Sequence, residues 1–149
     1  MIHTERLPTF AGLDELTRLV TSRRGLYVRW SRGPQHDLPE AASTDDLTGV
    51  KLPGLSANCL DIEAWWGQRP VHVWVARRLY DYCHLPRVKD PHARPWLLRG
   101  RETARGPDNE PLVIDVAPLG WIADHVIDDA RGIITGLPGN WGPLHRGTT

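Results

Sequence analysis

Residues 95–116 begin with Pro95-Trp96-Leu97-Leu98-Arg99-Gly100 and end with Glu110-Pro111-Leu112-Val113-Ile114-Asp115-Val116. Both ends are rich in apolar, aromatic and β-branched residues, and the polar stretch from Ala104 to Asn109 separates them, so the pair reads as a hairpin with a long connection. Upstream, Leu26-Tyr27-Val28-Arg29-Trp30 alternates as a third strand. Alternation puts Leu26, Val28 and Trp30 on one face and Tyr27 and Arg29 on the other. An arginine inside a short strand marks a place to examine.

Helical signals flank these strands. Leu13, Leu16, Leu19 and Val20 recur at helical spacing behind Asp14, with Gly25 as a stop, which predicts a helix near 13–23. A second helix is expected from Asn58 through Leu60, Glu63, Ala64 and Trp65, ending at Gly67. Between Arg69 and Pro86 a short strand (Val71, Val73, Val75) is expected to enter a helix (Val75, Leu79, Tyr82). Pro118 is expected to open a last helix that carries Trp121, Ile122, His125, Val126 and Ala130 on one face and stops at Gly132. The Gly, Pro, Ser and Asp-rich stretch 31–58 is too long for an idle connector. Within it, residues 43–47 could start a helical turn and Val50-Lys51-Leu52 a short strand. The expected architecture is one α+β domain over residues 1–149, with a mainly antiparallel central sheet and three or four short helices.

Composition limits the function classes. With 149 residues, 18 Lys+Arg against 18 Asp+Glu and 40% hydrophobic residues, the chain can bury one core and is no basic nucleic-acid binder acting through bulk charge. The 14 Gly and 13 Pro exceed the usual combined share of ~12% and imply many ordered turns. No apolar run reaches the ~18 residues of a membrane span. Cys59 and Cys83 form neither a disulfide scaffold nor a metal-ligand spacing, so a cytoplasmic protein is expected. Lys51 and Lys89 are the only lysines. Of seven Trp at least four are expected in the core, since a single Phe is present to share that role.

Arg29, Ser56 within Gly54-Leu55-Ser56-Ala57-Asn58, and Glu110 within Asp108-Asn109-Glu110 each stand at or beside an expected strand end. Their order and context resemble the Arg–Ser–Glu class of mono-ADP-ribosyltransferases, small α+β domains of two opposed sheets that bind NAD in the cleft between them. The resemblance implies NAD as substrate, with Arg29 on its phosphate, Ser56 supporting the ribose, Glu110 steadying the oxocarbenium-like transition state, and Asp108 two residues before it. Tyr27, Trp65, Trp66 and Tyr80 would supply the contacts to nicotinamide. The chain departs from that class in having Leu55-Ser56-Ala57 where Ser-Thr-Ser is usual, and Pro111 directly after the glutamate. The segment from Glu110 to Trp121 also resembles the last strand of rifamycin-type ADP-ribosyltransferases. As a whole the chain more closely resembles an uncharacterised actinobacterial family carrying Trp66-Gly67-Gln68-Arg69-Pro70 and Gly106 to Leu112, which assigns no activity.

The competing reading is a non-catalytic binding or regulatory protein that uses its Arg and Trp surfaces and the 31–58 loop to hold a partner, a second copy of the chain included. Trp65-Trp66 with Arg69, and Arg77-Arg78 with Tyr80 and Tyr82, are the recognition candidates, and Arg77-Arg78 is expected on a solvated helix face or paired with Asp81. His72, Cys83, His84 and His92 have poor metal-site spacing, and no metal is expected. A Cys83–His nucleophilic pair lacks an orienting motif, and no phosphate-cradling glycine loop is present.

Overall fold

The hairpin is the backbone of the fold. The computed structural model describes residues 7–39, 42–43, 48–81, 91–106 and 110–136. Within these, β5 (Arg94–Arg105) and β6 (Pro111–Ile122) pair antiparallel over their whole length, with register irregularities at Leu97/Leu98, Arg99/Arg101 and Glu102/Ala104. Bulges of this kind bend and twist a ribbon. β2 (Leu26–Ser31) joins the other edge of β5, again antiparallel. β1 (Thr9–Phe10) runs parallel to the far end of β6, so the sheet is mixed though mainly antiparallel.

Residues 55–60 close the curl. Leu55 and Ser56 (β3, Leu55–Ser56) pair with Val113 and Leu112 of β6, and Asn58 and Cys59 (β4, Asn58–Cys59) pair with Val28 and Tyr27 of β2. Ala57 N donates to the Pro111 carbonyl (3.1 Å) and Leu60 N to that of Leu26 (2.8 Å), extending both ladders. One extended segment therefore ties β6 back to β2.

Three helices cover one face of this sheet: α1 (Leu13–Ser22), α3 (Val71–Asp81) and α4 (Asp124–Thr135), while the one-turn α2 (Pro34–Asp37) follows β2. α1 begins where Glu15 Oε1 accepts from Ala11 N (2.9 Å) and Gly12 N (3.2 Å), satisfying two backbone donors ahead of the helix. Its Leu13, Leu16 and Val20 join Leu26, Val28, Leu97, Trp74 and Val126 in the main core. A second, smaller cluster of Tyr27, Ala57, Trp96, Leu98 and Val113 fills the inner face of the curl. The alternation read in 26–30 is realised, since Leu26, Val28 and Trp30 face the helices and Tyr27 lies on the other side. Trp30, Trp66, Trp74 and Trp96 are buried. Trp141 lies outside the described residues.

Several boundaries differ from expectation. The segment from Asn58 is extended rather than helical, because strand pairing and the Asp61 carboxylate hold it against β2: Oδ2 accepts from Gly25 N (2.8 Å) and Oδ1 from Leu26 N (3.1 Å). Only a 3-10 turn, Ala64–Trp66, precedes Gly67. The strand expected at 71–75 is helical from Val71 onward. α3 is buried from Val73 through Arg77, on nearly every side, and such a helix loses the one-sided pattern that distinguishes helix from strand. Arg77 is buried rather than solvated, and the side chain of Asp81 lies outside the described residues. Pro118 sits inside β6 and not at a helix start, and α4 runs past Gly132 to Thr135. No strand forms at 50–52, although Leu52 N donates to the Ser43 carbonyl (2.7 Å). Residues 44–47, which carry most of the expected turn, lie outside the described residues.

Candidate functional site

β2 sends Tyr27, Arg29 and Ser31 to the inner face of the curl, and Arg29 gathers a polar cluster there. Its Nε donates to Asp37 Oδ2 (2.6 Å), and its Nη1 donates to the Ser56 carbonyl (2.6 Å) and to Ser43 Oγ (3.2 Å). Ser43 Oγ also accepts from Ser56 N (2.8 Å). Ser31 Oγ donates to Asp37 Oδ2 and accepts from Trp96 Nε1 (2.9 Å) and Gly33 N (3.1 Å). His36 Nδ1 lies 3.1 Å from the other Asp37 oxygen. The Asp37 side chain is 5% exposed and that of Arg29 17%. Burial by itself would raise the Asp37 pKa, but the charge of Arg29 and hydrogen bonds from Arg29, Ser31 and His36 together outweigh it and hold the carboxyl below its ordinary range.

The expected residues come together only in part. Arg29 and Ser56 touch, but through the serine's backbone carbonyl, and the guanidinium is spent on Asp37 and Ser43. Glu110 lies nearby in register, since Ser56 pairs with Leu112 and Ala57 N binds the Pro111 carbonyl. Its carbonyl accepts from Gly106 N (2.8 Å), and its carboxylate lies against Gly106, with Oε1 buried and, among the described residues, unbonded. Asp108 lies outside the described residues. Tyr27 is buried among Trp96, Leu98 and Val113, and burial first, then the nearby Cys59, Glu102 and Asp61, raises its hydroxyl pKa. Trp66 and Tyr80 pack with the helix-side core, so the sheet separates them from Tyr27 and Arg29.

Sequence reading missed Asp37, Ser31 and Ser43. A signal existed for Asp37: an arginine buried in a strand calls for a carboxylate, and Asp37 is the next acid along the chain, but burial of Arg29 was not read from the sequence.

A different arrangement surrounds Trp65. This indole is 54% exposed, yet it stands edge-on against two buried ones, with centroids 5.9 Å from Trp66 and 5.6 Å from Trp74. Trp66 and Trp74 are themselves 5.4 Å apart, with Arg69 5.2 Å over Trp66 and Arg78 5.5 Å over Trp74. Trp66 Nε1 reaches the Arg69 and Pro70 carbonyls, and Trp74 Nε1 that of Leu60 (2.8 Å), which fixes the floor rings. Arg78 Nε donates to the Cys59 carbonyl (2.8 Å), and Arg24 Nη1 to that of Ile62 (3.1 Å), bringing one more guanidinium group beside the turn. Trp65 is thus a rigidly supported aromatic knob with arginines nearby, of which Arg24 lies 3.9 Å from the Asp61 carboxylate.

Cys59 is a half-buried thiol with its pKa pushed up to about 11, by burial first and then by the charge of Asp61. It is poorly suited to act as a nucleophile near neutral pH. Among the described residues no group of three or more His, Cys, Asp or Glu is placed to hold a metal ion, and Cys83, His84 and Tyr82 lie outside them. No helix of the described residues is long and apolar enough to cross a membrane.

No curated protein and no solved structure matches the chain. A family model does match it, over residues 3–142, and by that match the chain belongs to DUF6098, a family of unknown function.

Proposed function

We propose that this chain is a non-catalytic binding protein of the cytoplasm that holds a protein partner through Trp65. The observation that carries the reading is the half-exposed indole seated on two buried ones. Exposed tryptophan held rigidly beside arginine is the composition of interface hot spots, because the ring loses little entropy on docking and buries a large area. The NAD reading would require Arg29 to leave Asp37 and Ser43 before it could grip a diphosphate, and would leave an unpaired buried carboxylate behind.

A photo-reactive tryptophan analogue placed at 65, which keeps the indole, with a photo-crosslinking residue at the exposed helix position 21 as control, tests the reading in extracts of the native host. A discrete adduct is expected at 65 and absent at 21, suppressed by excess wild-type chain but not by excess Trp65→Ala chain. Absence of any such adduct would overturn the proposal. So would nicotinamide release from NAD that falls at least ~10²-fold in Glu110→Gln, the loss expected on removing a transition-state contact.

A further inference from the structure

We draw no further inference here: the strongest candidate, the open hollow between α1 and α4 lined by Leu13, Gly132 and Ile133, carries no proposal because nothing in the structure shows what covers it.

Discussion

Asp37 holds the inner polar cluster together, and only its partner was legible beforehand. Two-residue alternation put Arg29 on the face opposite Leu26, Val28 and Trp30, but it cannot say that this face is the inside of a curl or which carboxylate returns to meet the arginine, since that depends on how residues 32–37 turn. The same limit governs Ser56 and Glu110: strand register brings both near Arg29, while side-chain chemistry within the curl decides that the guanidinium meets a carbonyl and Asp37. Asp37→Ala should lower stability by about 3 kcal/mol, the lower end expected for stranding one charge of a buried pair, as Arg29 keeps some access to water. Because the native pKa is depressed, the pair's contribution is full above the ordinary aspartate value of ~3.9 and is lost as pH falls below it through the native value. Urea midpoints at pH 7 and pH 3 should therefore differ more in wild type than in Asp37→Asn. Equal differences would show that Asp37 contributes no such linkage.

At the scale of elements, the hairpin was read correctly in its apolar halves and too short at both ends. Pro118 suggested a helix start because proline suits the first helical turn, yet it pairs with Leu98 at an irregularity of the β5–β6 ladder. β3 takes the other edge of β6 at 112–113 and β1 takes it at 121–122, so Pro118 falls between the two, where no strand among the described residues asks for its missing N–H. A comparable fit fixes the turn between β2 and α2. Gly33 has φ 116°, and a Cβ there would lie 2.3 Å from the Trp121 ring. Gly33→Ala therefore adds a clash to backbone strain and should cost about 1–3 kcal/mol. Gly49→Ala, at φ 74° with nothing within 4 Å among the described residues, should cost about 1 kcal/mol from strain alone. Thermal denaturation of the two variants ranks them, and equal costs would mean that the Trp121 ring yields freely.

For the whole molecule, composition foresaw one core, and the fold divides it between two faces of a single sheet. Every strand that contributes to the inner cluster also presents residues to the helix side: Tyr27 and Val28 from β2, and Trp96 and Leu97 from β5, point to opposite clusters one residue apart. Neither cluster can lose its packing without disturbing the strands that carry the other. The closing segment strengthens this coupling, since Ala57 in the inner cluster is followed by Leu60 in the outer one. The two clusters should therefore unfold together, as small single domains usually do. Trp74 reports the outer cluster and Trp96 the inner one. Fluorescence of the Trp74→Phe and Trp96→Phe variants, followed through urea beside far-ultraviolet circular dichroism, should give one coincident midpoint for each protein. If the fluorescence that Trp96 contributes, read as wild type minus Trp96→Phe, moved ahead of the dichroism, the curl would be a separable unit. In that event closure by residues 55–60 would not couple the two sides of the sheet.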